Sequence, residues 1–282
     1  MKIGFYTSTL GDRPIDEVID FAASAGFDAI EIDIGSHIPT PGDVAPIVAK
    51  ARAKGLFVSS LTLFGNQLEP DPAARAALHA KTEAFVRAAA DADVPVFVLF
   101  PGHNPAASEE ENYADFAAFA KNLLAATSGS PIRIAMENWP GPHKAFIAIT
   151  PAGWRKLFAL VPDPRLGLEF DPSHLIWQGI DPVAARREFA GRIAILHGKD
   201  TAIDEEKLSA AGYFSEGWWT YVLPGRGRVD WKSFLAAAKA EAVDGVVSIE
   251  HEDRAFGWPK GDLEARRRGH RVALDNLRAA LG

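Results

Sequence analysis

The chain has 282 residues, of which 48% are hydrophobic and 24% are charged, and it carries a formal net charge of -7. This length and this balance suit one domain with a full hydrophobic core. The negative charge excludes a general affinity for nucleic acid, because neutralising phosphates requires surplus lysine and arginine. The absence of cysteine excludes disulfides and thiolate metal sites, so any metal ligands must be histidine, aspartate, glutamate or water.

The N-terminal stretch of residues 1–10 lacks the long apolar core of a secretion signal. No other stretch is apolar over the length that a bilayer crossing requires. We therefore expect a cytoplasmic protein that does not enter a membrane. Linkers and low-complexity tracts are also missing from the sequence, which indicates one continuous domain.

Short apolar runs alternate with amphipathic helical patterns along the whole chain. The predicted elements, in chain order, are strand Lys2–Tyr6, helix Pro14–Ala25, strand Ala29–Ile34, helix Val44–Lys54, strand Phe57–Leu63, helix Pro72–Ala90, strand Pro95–Phe100, helix Tyr113–Leu124, strand Ile132–Met136, helix Pro151–Leu160, strand Leu166–Phe170, helix Pro182–Phe189, strand Ile193–Leu196, helix Trp231–Ala240, strand Val246–Ile249 and helix Leu263–Leu281. Proline near the first turn of a helix and glycine just past its end mark several of these boundaries.

Eight strands that alternate with eight helices are typical of a closed parallel barrel. The alternative is an open doubly wound sheet, which usually carries a glycine-rich phosphate turn after its first strand. Here that turn reads Thr7-Ser8-Thr9-Leu10-Gly11-Asp12, which does not fit the pattern. We predict a single (β/α)8 TIM-barrel catalytic domain that spans residues 1–282.

Polar side chains follow the last four predicted strands. They are Glu137, Asp171, His197 and Glu250. A single glutamate at such a place often only solvates the rim or caps a helix, but four adjacent strand ends converge on one face of a barrel, where barrel enzymes work. Three carboxylates and one imidazole suit one hard divalent ion, with Mn2+ preferred, Co2+ or Mg2+ as alternatives, and Zn2+ less favoured by so many oxygens.

Several longer motifs occur in a specific order and spacing. They are Glu137 after strand five, Phe170-Asp171-Pro172-Ser173-His174, His197-Gly198-Lys199-Asp200, Pro224-Gly225-Arg226-Gly227 ahead of Val229-Asp230-Trp231, and Ser248-Ile249-Glu250-His251. With these motifs the chain resembles the xylose-isomerase-like barrel superfamily, specifically its sugar phosphate isomerase/epimerase branch. Ketose 3-epimerases and inosose isomerases and dehydratases are relatives in that superfamily.

The resemblance implies roles for particular residues. The four strand-end residues would hold one ion, and Glu137 and Glu250 would also act as acid/base groups. His174 and Lys199 would contact substrate hydroxyls or a carbonyl oxygen. The arginine that relatives carry shortly before the Pro-Gly of the seventh loop is missing here, and Arg226 inside the loop is its candidate replacement. The substrate and its phosphorylation therefore stay open.

Weaker candidates lie in other loops. Asn66 and His103 follow strands three and four and are predicted to face the same pocket as substrate-binding residues. Trp177 would stack on a sugar face or pack in a lid. The aromatic segment 218–221 would cover the mouth or form an oligomer contact, and Glu31 in strand two is predicted to make a structural hydrogen bond.

The four strand-end residues together with the family resemblance favour a metal-dependent epimerase or isomerase of a keto-sugar or cyclitol. The metal would polarise a carbonyl, one glutamate would remove the neighbouring proton, and an enediolate would form. A lyase or dehydratase of a 3-keto sugar, keto-glycoside or inosose would share this first step and is the alternative. An abasic-site endonuclease fits the acidic charge poorly, and a barrel that only binds a ligand fits the four metal-type residues poorly. The expected partner is a small sugar. Whether the chain also forms a homo-oligomer, as a dimer or a tetramer, is left open.

Overall fold

Eight parallel strands lie side by side in the computed structural model, which describes all residues from 1 to 282. The chain has ten strands in all, eight in the barrel and two outside it. In chain order they are β1 Lys2–Phe5, β2 Ala29–Asp33, β3 Phe57–Leu63, β4 Val96–Leu99, β5 Arg133–Glu137, β6 Leu166–Phe170, β7 Ile193–Gly198, β8 Asp200–Ile203, β9 Trp219–Val222 and β10 Val246–Ile249. The barrel runs from β2 through β7 to β10 and β1, while β8 and β9 form a separate antiparallel pair. A parallel bridge between Tyr6 and Glu31 closes the gap between β1 and β2. The prediction of a single-domain TIM barrel is confirmed.

The helices lie outside the strands and account for most of the remaining chain. They are α1 Ile15–Ala25, α2 Ile34–His37, α3 Val44–Ala53, α4 Pro72–Asp91, α5 Glu109–Ala126, α6 Pro151–Leu160, α7 Pro172–Ile176, α8 Pro182–Phe189, α9 Glu205–Ala211, α10 Trp231–Ala240 and α11 Leu263–Leu281. A core of 64 buried residues fills the space between strands and helices. None of the helices combines the length and the apolar sequence needed to cross a bilayer.

The largest boundary error in the predicted helices concerns α5, which begins at Glu109 rather than at Tyr113. Ser108 caps this helix, since its Oγ accepts a hydrogen bond from the Glu111 backbone N–H while the Glu111 carboxylate accepts one from the Ser108 N–H. The first turn carries three glutamates. Negative charge near a helix N-terminus is favourable, but such a polar turn has no hydrophobic periodicity for a sequence pattern to detect.

The inside of the barrel changes from apolar to polar along the strands. Six residues form a separate apolar cluster that consists only of strand residues: Ala29, Val96, Val98, Ala135, Ile195 and Val246. Side chains two positions apart on a strand face the same side. Two positions after this cluster on β2, β5, β7 and β10 the residues are polar, whereas after β4 the residue is Phe100: the polar ones are Glu31, Glu137, His197 and Ser248. Strand periodicity thus directs ionisable groups into the upper half of the barrel.

Asp200 organises the long connection between β7 and α10. The prediction treats that connection as a loop, whereas the structure places the β8–β9 pair and α9 in it. The buried Asp200 carboxylate accepts hydrogen bonds from five donors: the backbone N–H groups of Thr201, Gly225, Gly227 and Val229 and the Nε1–H of Trp231. A Cβ added at Gly227 would lie 2.3 Å from Asp200 Oδ1, so only glycine allows this close approach.

Candidate metal centre

The four strand-end residues of the sequence analysis meet at one point in the barrel mouth. Candidate ligand atoms of Glu137, Asp171, His197 and Glu250 all lie within 4.8 Å of one another. His197 belongs to β7 itself, because that strand continues to Gly198 rather than ending at Leu196. We call these four residues the ligand cluster.

His197 lies at the centre of the ligand cluster. Its Nδ1 is 3.2 Å from Glu250 Oε2, 3.4 Å from Glu137 Oε1 and 3.8 Å from Asp171 Oδ2. His197 Nδ1 is buried without a hydrogen-bond partner, and Asp171 Oδ2 is buried in ion-pair contact with Lys199 Nζ at 3.1 Å. Buried polar atoms are usually satisfied, so an unpartnered imidazole nitrogen that faces three carboxylates points to a ligand. One imidazole nitrogen and three carboxylates are a fitting donor set for a divalent cation.

Asp171 is fixed by its neighbours before any ion is considered. Its Oδ1 accepts a hydrogen bond of 2.7 Å from the Ser173 N–H and thereby caps α7. The Asn138 side chain donates to the Asp171 carbonyl at 2.9 Å and accepts from its N–H at 2.8 Å. These contacts leave Oδ2 to face His197 and Lys199.

Lys199 and His174, both proposed substrate contacts, are fully buried against the ligand cluster. Lys199 Nζ is 3.1 Å from Asp171 Oδ2, forms a short ion pair with Glu250, and is 3.2 Å from Glu252 Oε2. His174 Nε2 lies 3.2 Å from Glu137 Oε1 and 3.2 Å from Lys199 Nζ. The predicted substrate binders therefore lie next to the predicted metal ligands.

Burial and neighbouring charges shift the pKa values of the residues in and beside the ligand cluster in opposite directions. Burial alone would raise the pKa of Glu137, but the hydrogen bond with His174 and the nearby charges of His197 and Lys199 lower it to about 2. Burial alone would lower the pKa of His197, yet the surrounding carboxylates raise it well above its ordinary value. The pKa of Lys199 is raised for the same reason, with Asp171 as the main carboxylate. Without an ion, two protonated bases therefore balance the carboxylates.

Three aromatic side chains, Trp177, Trp219 and Tyr221, pack next to His174. Trp177 Nε1 donates a hydrogen bond to the Tyr221 hydroxyl at 3.1 Å, and the same hydroxyl lies 2.7 Å from His174 Nδ1. Trp177 also stacks on Trp219, with ring centroids 4.8 Å apart and planes 4° from parallel. The β9 strand thus brings Trp219 and Tyr221 to the cluster edge, whereas Phe214 in the same connection is fully exposed.

Three proposed substrate contacts make no hydrogen bond or ion pair with the ligand cluster. The Asn66 amide joins two loops, because it accepts from the His103 N–H and donates to the His103 carbonyl, both at 2.9 Å. The His103 side chain lines a cavity of about 240 Å³ together with Tyr113 and residues 145–150. Arg226 pairs with Asp253 at 3.3 Å and lies over the Phe256 ring. Their substrate roles remain predictions.

Two further carboxylates face the other edge of the His197 ring. Glu31 Oε2 lies 3.3 Å and Glu169 Oε1 3.0 Å from His197 Nε2, and both glutamates are completely buried. Burial, followed by the charge of Glu31, raises the pKa of Glu169 well above its ordinary value. From the sequence, Glu31 is predicted to make a structural hydrogen bond, whereas Glu169 and Glu252 have no predicted role. For Glu169, the available signal was a charged residue inside an otherwise apolar strand.

Residues 19–279 match the family model described as "Xylose isomerase-like TIM barrel". Over 299 aligned residues the chain is 26% identical to the uncharacterized protein YfiH of Bacillus subtilis, and the alignment covers 90% of this chain and 93% of YfiH. A shorter alignment of 111 residues is 29% identical to an inosose dehydratase of Clostridium beijerinckii and covers 37% of each chain.

The fold has close counterparts among solved structures. D-psicose 3-epimerase with D-tagatose from Clostridium cellulolyticum H10 superposes with a TM-score of 0.77 at 17% sequence identity. The superposition covers 100% of this chain and 99% of the epimerase. At this identity the likeness concerns the fold alone.

Proposed function

The chain belongs to the xylose isomerase-like TIM barrel family, and from this and its ligand cluster we propose that it is a divalent-metal-dependent epimerase or isomerase of a keto-sugar or cyclitol. The observation that carries the proposal is the convergence of Glu137, Asp171, His197 and Glu250 within 4.8 Å at the mouth of the barrel. Its relatives include an inosose dehydratase, and a ketose 3-epimerase has the same fold. A small sugar with a carbonyl group is therefore the proposed substrate.

The four cluster residues would hold the ion, with Mn2+ as the preferred metal. A divalent ion there supplies Lewis acidity, which polarises a carbonyl and acidifies the neighbouring C–H. The protein supplies the proton transfers. Glu137 on β5 and Glu250 after β10 end the arc of strands in which β6 and β7 lie between them. One carboxylate accepts the proton from the carbon beside the carbonyl, which leaves an enediolate.

The return of the proton decides the product. If the second glutamate delivers a proton to the opposite face of the same carbon, that carbon is inverted and the product is an epimer. If the proton goes to the former carbonyl carbon and the neighbouring hydroxyl passes its proton to the former carbonyl oxygen, the product is an isomer. His174 lies beside Glu137 and Lys199 beside Glu250, where their N–H groups would hold the substrate oxygens and stabilise developing negative charge.

A lyase or dehydratase is the second candidate, favoured by the local similarity to an inosose dehydratase. Its first step would be the same proton removal, after which a hydroxyl or glycosidic oxygen on the next carbon would take up that proton and leave as water or an alcohol. The substrate would then be an inosose, a 3-keto sugar or a keto-glycoside. The two candidates differ in whether the product keeps all atoms of the substrate, which a mass spectrum decides.

Metal analysis tests the assignment of the ligands. Protein purified without chelators should contain about one divalent ion per chain, and His197→Ala and Asp171→Ala variants should lose it. Asp33→Asn is the matched control, because Asp33 is a buried carboxylate at the end of β2 that lies outside the ligand cluster. Stoichiometric metal in both the His197 and the Asp171 variants would contradict the proposal.

A further inference from the structure

The His197 ring is contacted differently at its two nitrogens. Nδ1 faces the three carboxylates of the ligand cluster and has no hydrogen-bond partner. Nε2 faces Glu31 on β2, with 3.3 Å between Nε2 and Glu31 Oε2. Because a carboxylate can only accept a hydrogen bond, a bond between these atoms requires the hydrogen on Nε2. A neutral imidazole with its hydrogen on Nε2 has the lone pair on Nδ1.

Glu31 is itself held in place from the neighbouring strand. Its Oε1 accepts a hydrogen bond of 2.5 Å from the Thr62 hydroxyl on β3. Glu31 and Thr62 are both buried on strands that pair in parallel. One carboxylate oxygen is therefore fixed by Thr62 while the other meets His197, which leaves the glutamate little freedom to turn away.

Glu169 lies closer to Nε2 than Glu31 does but makes no hydrogen bond there. Its Oε1 is 3.0 Å from His197 Nε2, yet neither of its carboxyl oxygens has a hydrogen-bond partner. No hydroxyl anchors it in the way that Thr62 anchors Glu31. The geometry therefore separates a bonded and anchored glutamate from one that only approaches the ring.

We propose that Glu31, anchored by Thr62, is a positioning residue that fixes His197 with its hydrogen on Nε2 and so presents Nδ1 to the metal ion. This inference rests on the proposed function in one respect, namely that the ligand cluster holds a divalent ion. Carboxylates that orient metal-binding histidines in this way strengthen metal affinity about 10- to 100-fold. The ion would reach His197 from the barrel mouth, and Glu31 would hold the His197 ring in place from inside the barrel.

Metal affinity measured by chelator competition with Mn2+ tests the proposal on four proteins: wild type, Glu31→Gln, Thr62→Val and Glu169→Gln. Glu31→Gln keeps the size of the side chain but removes its charge, and its amide N–H favours the opposite tautomer. We expect a loss of affinity of about 10- to 100-fold for Glu31→Gln and a smaller loss for Thr62→Val. Glu169→Gln is the matched control, the same change at the same ring nitrogen, and its affinity should stay within about threefold of wild type.

A tautomer measurement supplies the second readout. Two-dimensional ¹⁵N NMR of the histidine rings, recorded with Mg2+ or Zn2+ as a diamagnetic ion, should show hydrogen on Nε2 of His197 in wild type. The same signal should weaken in Glu31→Gln. A general loss of packing would not select one ring nitrogen, so this readout separates positioning from stability.

The outcomes separate the two claims. If wild type binds no divalent ion, the proposed function fails and the inference fails with it. If wild type binds the ion and Glu31→Gln and Thr62→Val bind it equally well, the inference is overturned while the proposed function stands. A loss in Glu169→Gln without a loss in Glu31→Gln also overturns it. Should Glu31→Gln fail to fold, Thr62→Val decides the test.

Discussion

Replacing Lys199 by methionine removes the one lysine that is buried among the carboxylates of the site. Its Nζ contacts Asp171 at 3.1 Å, Glu252 at 3.2 Å and Glu250 at a shorter distance. Methionine is also unbranched and flexible enough to fill the space of the lysine side chain. Breaking a buried ion pair by removing one partner typically costs about 3–5 kcal/mol, because the remaining charge is left uncompensated. We expect a loss of that order in the ion-free protein.

The loss should appear as a lower melting temperature. For a domain of this size each kcal/mol corresponds to roughly 2–4 °C, so the ion-free Lys199→Met variant should melt roughly 6–20 °C below wild type. A divalent ion then offsets part of the loss, since it supplies positive charge to the same carboxylates. Ligand binding at about 100 times Kd adds about 2.7 kcal/mol of stability. Because the variant lacks a competing resident cation, its melting temperature should rise more on metal addition than that of wild type.

Differential scanning calorimetry with and without Mn2+ measures both effects. Lys50→Met is the control, because Lys50 pairs with Asp16 at 2.9 Å on the surface with both side chains more than half exposed. Exposed pairs contribute about 0–1 kcal/mol, so this variant should melt close to wild type in both conditions. Equal metal-induced shifts in Lys199→Met and wild type would refute the idea that Lys199 and the ion neutralise the same charges.

Three further predictions concern other parts of the molecule. Asp200→Ala removes the acceptor of five hydrogen bonds and should lower the free energy of unfolding by about 3–4 kcal/mol in urea denaturation; a change below about 0.5 kcal/mol would contradict the role of Asp200. Carboxylates outweigh burial and raise the pKa of His197, so a proton competes with the ion and metal affinity should increase with pH up to the raised pKa. The stability that protonated His197 gives the ion-free protein has the opposite trend: it is complete below the unfolded pKa and is lost as pH rises through the folded one. Isothermal titration and thermal unfolding over a pH series check both signs, and a flat affinity profile would argue against His197 as a ligand. With a net charge of -7, the protein should not nick a duplex that contains an abasic site, and cleavage in proportion to enzyme concentration would reverse that conclusion.

The period-two pattern of strands explains why so much of the ligand cluster could be predicted. Glu137 and His197 lie two residues after the inward-facing Ala135 and Ile195, so the local pattern places them inside the barrel. Glu169 lies between Leu168 and Phe170 in β6, and nothing local shows that it meets His197. That contact depends on the stagger between β6 and β7, where the register shifts after Leu168.

Loop contacts were harder to predict for a related reason. Asn66 has a polar side chain that could bind a substrate, but its amide group is already hydrogen-bonded to the backbone of His103. Tyr221 lies in a segment with no helical or strand periodicity in the surrounding sequence, yet β9 carries its hydroxyl to 2.7 Å from His174. In both cases the partner is distant in sequence, and only the closed fold decides which partner is met.

Proton exchange in D2O tests the central claim most directly. A panel of keto-sugars and cyclitols is incubated with metal-loaded protein, and NMR follows deuterium at each carbon. The account predicts that wild type introduces deuterium at one carbon next to the carbonyl of its substrate. Glu137→Gln and Glu250→Gln should each slow turnover by about 10²- to 10⁴-fold, the usual scale of general acid–base catalysis. Near-normal exchange in both variants, together with its loss in a His103 variant, would place the base elsewhere and contradict the account.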